Sequence, residues 1–157
     1  MRSGAKLSAK AKKRHAEIMT RLAALGTQFS QNVLADEKAY ELPLPAEADR
    51  AGLPQFLIDA AAATATERKS PASHVITLSR SLIEPFLVFS TRRDLREQAF
   101  KEWAQRGEQG GITDNRGIVA ETLALRQERA QILGYATFAD YKLDDTMAKT
   151  PQAVRGL

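Results

Sequence analysis

No cysteine occurs anywhere in the 157 residues. That excludes disulfides, thiolate metal ligands and a cysteine nucleophile together. Histidine is nearly as scarce, with only His15 and His74. Zinc hydrolysis needs at least three close N, O or S ligands and an open position for water, commonly supplied by H-E-x-x-H on a helix. His15-Ala16-Glu17 has the wrong order and spacing for that motif, and His74 opens a predicted strand. No catalytic, cofactor-binding or metal-binding residue is therefore assigned in this chain. Long apolar runs are also missing: nowhere do about 18 apolar residues follow one another, so no membrane span is expected. Glu17, Arg21 and Gln28 break the first apolar stretch, which rules out the core of a signal peptide. A reducing, cytoplasmic location is the expectation.

What is present suits a folded protein. Hydrophobic residues make up 43% and charged residues 27%, a globular balance, and the length predicts a single domain over 1–157. The net charge of +4 sits at one end. Arg2, Lys6, Lys10, Lys12, Lys13 and Arg14 precede the first acid, Glu17; removing those six from 23 basic residues leaves 17 against 19 acidic ones. With no aromatic residue interleaved, the cluster reads as a solvated helix start rather than a phosphate-binding arm. No nucleic-acid partner is expected.

Hydrophobic spacing predicts mostly helices. Ile18, Leu22, Leu25, Phe29 and Val33 repeat at steps of three and four within a helix from about Leu7 to Asp36. Gly26 lies inside it, small enough to let another element approach. Tyr40 to Leu44 alternates but contains Pro43, which limits it to an edge strand or extended link; His74 to Leu78 is its natural partner in a small ribbon. Between them, Pro54 opens an Ala-rich helix that Lys69, Ser70 and Pro71 end. Arg80 to Phe89 is a short or kinked helix because of Pro85.

Thr91 and Asp94 are placed to cap the next helix, which the pairs Glu97/Lys101 and Glu102/Arg106 support, and Gly107 to Gly111 is a loop. Asp114 is placed to cap a helix from Asn115 to Leu133, with Ile118, Val119, Leu123, Ala130 and Leu133 as its buried stripe and Gly134 at its end. Thr137 and Asp140 form a capping box for a helix ending near Ala148, and Thr150-Pro151 starts a last short one. The predicted class is mainly α, a bundle-like set of helices with a minor two-stranded β ribbon.

Other chemistries find little footing. Ser79-Arg80-Ser81 lacks the Gly-rich elbow that exposes a strained nucleophile, and Gly107 to Gly111 has no phosphate-loop motif. Glu84, Asp144 and Asp145 share no spacing that marks a cleft. Phe86, Phe89, Phe100 and Trp103 fall at helical spacings expected of core packing.

The run Leu133-Gly134-Tyr135-Ala136-Thr137-Phe138-Ala139-Asp140-Tyr141, followed by Met147-Ala148-Lys149-Thr150-Pro151, resembles the thimet-oligopeptidase family of zinc metallopeptidases, especially bacterial peptidyl-dipeptidases and oligopeptidase A. Leu25-Gly26-Thr27-Gln28-Phe29, Ala51-Gly52-Leu53-Pro54, Val75-Ile76-Thr77-Leu78 and Arg93-Asp94-Leu95-Arg96-Glu97 agree with it. The resemblance implies a piece of the N-terminal half of a larger hydrolase, preceding the catalytic region. In that family zinc is held by H-E-x-x-H and a downstream Glu, positions this chain does not contain. Zinc is thus implied for a full-length parent and none for this chain. The resemblance further implies that the segment helps wall a channel admitting only short peptides, with the remainder of the parent peptidase as its partner. Self-association through faces the parent would cover is expected. A free-standing helical interaction module is the alternative.

Overall fold

The computed structural model describes residues 3–157. Their order is α1 (Ala9–Ala39), β1 (Leu42–Pro43), α2 (Gln55–Arg68), β2 (Val75–Ile76), α3 (Arg80–Phe89), α4 (Arg93–Ala104), α5 (Arg116–Ile132), α6 (Phe138–Leu143) and α7 (Pro151–Arg155), with 3-10 turns at Glu47–Arg50 and Gly111–Thr113. The described residues are mainly helical with one two-stranded sheet, as the sequence predicts. Contacts divide them into two compact units. One runs through Ser30 and resumes over Asn115–Leu157; the other is Gln31–Asp114.

The Gln31–Asp114 unit is built on the ribbon. β1 and β2 pair antiparallel, Leu42 opposite Ile76 and Pro43 opposite Val75, and the Leu44 N–H donates to the His74 carbonyl at 2.9 Å. Pro43 has no N–H to give, which is tolerable only at an edge. A ribbon this short is marginal alone, so its buried side chains, Leu42, Leu44, Val75, Ile76 and Leu78, depend on helices for cover. α2 turns Leu57, Ala61 and Ala65 inward at every fourth residue. It stops at Lys69, whose φ of 53° is left-handed and whose N–H bonds back to the Thr66 carbonyl.

α3 runs ten residues with Pro85 inside it. The carbonyl deprived of that donor belongs to Ser81, an exposed residue that water can reach. Leu82, Ile83 and Phe86 on the other face are buried against the ribbon and α2 cluster.

Several expected details give way to partners elsewhere in the chain. Thr91 does not cap α4: its N–H and its hydroxyl both donate to the Ala51 carbonyl, at 3.0 and 3.1 Å, and Arg92 occupies the cap position. Asp94 is instead held by Arg92 at 2.6 and 2.9 Å. Of the two expected ion pairs, Glu97/Lys101 forms at 2.6 Å, whereas Glu102 accepts from Gln109 and Arg106 turns to Glu37 on α1. The spacing suits both pairs, but a longer-range partner outcompetes a helical neighbour worth only about 0.3–0.5 kcal/mol.

The other unit is an antiparallel helix pair with a short tail. Arg14 reaches Glu128 and Arg21 reaches Glu121, while the Asn115 side-chain amide donates to the Phe29 carbonyl at 3.1 Å. Those contacts fix the register of α1 against α5. Ile18, Leu25 and Ala130 are buried along the seam. Asn115, not Asp114, is the cap residue of α5, because Asp114 closes the preceding 3-10 turn. Gly134 ends α5 with φ of 87°, and the Tyr135 N–H returns to the Ala130 carbonyl at 2.9 Å.

The Thr137/Asp140 capping box forms as expected, with bonds of 3.0 and 3.1 Å. α6 is shorter than predicted, ending at Leu143 rather than near Ala148. The Thr146 hydroxyl caps the Leu143 carbonyl at 2.8 Å, and Lys149 takes a left-handed φ of 63° that no helix continues through. Thr150 caps α7 through the Ala153 N–H.

Gly26 admits no neighbouring element. A Cβ built there meets nothing within 4 Å, so the close approach expected from its size does not occur. The residue only lowers helix propensity. Gly26→Ala should therefore stabilise the protein by about 1 kcal/mol, read as a higher midpoint in urea melting with an unchanged slope.

Candidate functional site

The residues singled out for chemistry are scattered. His74 Nδ1 lies 2.9 Å from the Ser73 hydroxyl in the Gln31–Asp114 unit, while His15 belongs to the other unit. Burial and the nearby Arg129 guanidinium both hold the His15 imidazole below its usual pKa. Such a setting disfavours a cation beside it. Among the described residues no group of three or more His, Cys, Asp or Glu side chains is placed to hold a metal ion. The two histidines and their neighbours do not fit a zinc centre.

The remaining candidates each have an ordinary setting. Ser79 accepts from the Thr77 hydroxyl at 3.1 Å and has Ser81 at 3.4 Å, with no base in the set. Glu84 pairs with Arg80, and Asp144 accepts from the Tyr135 hydroxyl at 2.9 Å. Asp145 is exposed. The Gly107 N–H donates to Asp36 at 2.7 Å, so that loop binds a carboxylate of its own chain. Of the four aromatics expected in the core, Phe86 is fully buried and Trp103 packs on the cluster, but Phe89 and Phe100 are exposed. In the basic cluster Lys6, Lys10, Lys12 and Lys13 are exposed and Arg14 pairs with Glu128; Arg2 lies outside the described residues.

The feature that periodicity alone does not separate from core is a groove. It runs between α1 and α5 with a volume of about 600 Å³. Met19, Leu22 and Phe29 form one wall; Val119 and Leu123 form the other. Phe29 is 40% exposed and Leu123 is 59% exposed, although both belong to stripes that the sequence assigns to the interior. The apolar faces of both helices are wider than their shared seam, and the surplus lines this groove.

Its charge is one-sided. Arg126 and Arg129 are the ionisable residues in the lining. The Arg126 guanidinium stacks 5.3 Å from the Phe138 ring centroid. Arg129 lies 5.0 Å over Tyr141 and donates to its hydroxyl at 3.0 Å. The acids of α5 point elsewhere: Glu128 takes a two-pronged contact from Arg14 at 2.6 and 2.7 Å, and Glu121 takes the same from Arg21.

Those hydrogen bonds hold the Glu121 and Glu128 carboxyls below the usual carboxylate range. A depressed carboxyl pKa contributes stability above its unfolded value, and the contribution disappears as pH falls through the folded one. Melting temperature should therefore drop as pH is lowered from about 5 towards 3. The double variant Glu121→Gln, Glu128→Gln should show a shallower drop over that range, measured by circular dichroism.

Known proteins share this sequence over part of their length. Peptidase family M3 matches residues 86–157. The chain is 37% identical over 156 residues to oligopeptidase A of Haemophilus influenzae and 35% identical over 156 residues to that of Escherichia coli, in each case covering 97% of this chain and 23% of the relative. Dipeptidyl carboxypeptidase of Salmonella typhimurium is 34% identical over 151 residues, covering 96% of this chain and 22% of the relative. The chain thus spans about a quarter of the length of the curated relatives it matches. These relatives are peptidases by name, and the chain is similar to them along nearly its whole length and to peptidase family M3 over residues 86–157.

Proposed function

We propose that this chain forms a non-catalytic portion of a family M3 zinc peptidase, in which it walls the substrate channel and limits entry to short peptides. The observation carrying the reading is the identity to oligopeptidase A along 97% of the chain, set beside an inventory of two histidines and no cysteine. Sequence similarity supports a peptidase context, and the scarcity of zinc ligands supports placing the cutting outside this segment. A helical wall acts by exclusion. Folded proteins are too wide for a narrow channel, while an extended peptide passes. The zinc of the parent would polarise the scissile carbonyl and activate water there.

The reading is tested by a chimera in which these 157 residues replace the aligned segment of the Escherichia coli oligopeptidase A. The chimera should cleave a short fluorogenic peptide and leave a folded protein substrate intact. Hydrolysis of folded substrate by the chimera, with the parent enzyme inert towards it, would remove the channel-wall role. A chimera that is folded but inactive would remove the family-equivalent role altogether.

A further inference from the structure

We propose that the α1–α5 groove seats an amphipathic helix, supplied by the part of an M3 polypeptide that this chain does not contain, whose apolar face covers Leu123 and Phe29 and whose carboxylate meets Arg126. The source of the helix rests on the reading above; the groove and its chemistry do not.

Three observations select this occupant. The groove follows two helices: Met19, Leu22 and Phe29 on α1 stand opposite Val119 and Leu123 on α5. Ten residues of helix span about 15 Å, the length of two to three turns, which suits the helix-in-groove mode with anchors at i, i+3 or i+4, and i+7. Met19, Phe29, Val119 and Leu123 are large apolar side chains left exposed along the two walls, where an apolar helix face can cover them.

Charge then specifies the partner. The lining holds two arginines and no acid. Arg126 makes no ion pair among the described residues; its contact is the Phe138 ring. A helix carrying a carboxylate one turn beyond its apolar anchors supplies the missing partner. A second copy of this chain, groove against groove, does not, because the lining it would bring holds two arginines and no carboxylate. The 23% coverage of the relatives leaves the greater part of an M3 polypeptide from which such a helix can come.

The test uses the full chain and a fluorescent 18-residue helical peptide with leucines at the anchor spacing and one glutamate a turn beyond. Anisotropy should report saturable binding. Changing that glutamate to lysine should weaken it about tenfold, the size of one close charge pair. Arg126→Glu should reverse the preference, and Leu123→Asp should abolish binding by both peptides. Val154→Asp, exposed and outside the lining, should leave it unchanged.

Equal binding of acidic and basic peptides, or no binding, overturns the groove assignment and leaves the peptidase reading standing. Sedimentation showing a dimer that Leu123→Asp dissociates makes a second copy the occupant and also overturns it. The source is tested in the chimera: Leu123→Asp should lower its melting temperature by several degrees while sparing the isolated chain. An equal effect in both refutes an M3 helix as the occupant.

Discussion

Phe86→Ala is expected to destabilise the Gln31–Asp114 unit by about 3–5 kcal/mol, the range for deleting a buried phenylalanine. Phe86 is completely buried, among the largest side chains in the cluster that joins the ribbon to α2 and α3. Its removal leaves a cavity in the cluster that also holds Leu57, Ile76 and Ile83. The ribbon has only two ladder positions per strand, so it cannot hold itself together while the core relaxes around the gap. Urea melting should show a large drop in midpoint. Phe89, one turn further along α3, is the internal control. It is 45% exposed and meets only the Phe56 ring edge at 6.4 Å among its aromatic neighbours, so Phe89→Ala should cost no more than about 1 kcal/mol. Similar losses at both positions would contradict the assigned core.

Gly52→Ala should be comparably damaging through the backbone. Gly52 has φ of 83°, and a Cβ built there lies 2.5 Å from the Phe89 carbonyl oxygen and 2.7 Å from the Thr91 methyl carbon. The left-handed conformation alone costs a non-glycine residue about 1–2 kcal/mol. The clash adds to it because the nearer atom is backbone and cannot rotate away. Relieving the overlap means parting Ala51 from Thr91, whose two donors hold the Ala51 carbonyl. We expect a loss of about 3 kcal/mol or more, measured by thermal melting. Gly26→Ala, where the space is open, should have the opposite sign.

The contrast between these glycines shows where sequence reasoning reaches and where it stops. Local signals are legible: Thr137/Asp140 and Thr150 cap the helices their spacing predicts, Gly134 ends α5, and Pro43 marks a ribbon edge. Each depends on residues a few positions apart. Thr91 fails as a cap because its partner, Ala51, lies 40 positions away. Arg106 likewise takes Glu37 over its helical neighbour.

The groove is hidden for a different reason. Periodicity identifies an apolar face but not what covers it, so Phe29, Val119 and Leu123 read as interior and are exposed. A stripe wider than one helix contact is the available clue: Met19 beside Leu22, and Val119 beside Ile118, broaden both faces. For the chemistry, composition is the stronger guide. The scarcity of histidine and the absence of cysteine bound the chain before any geometry, and the family motif supplies the context.

The most direct test is an assay of the purified 157-residue chain with added zinc and a fluorogenic peptide. Two imidazoles in separate units and no thiol predict release of fluorophore no faster than zinc in buffer alone. Zinc-dependent turnover that co-purifies with the chain through successive columns, and that His15→Ala or His74→Ala removes, would contradict the proposal that this segment is non-catalytic.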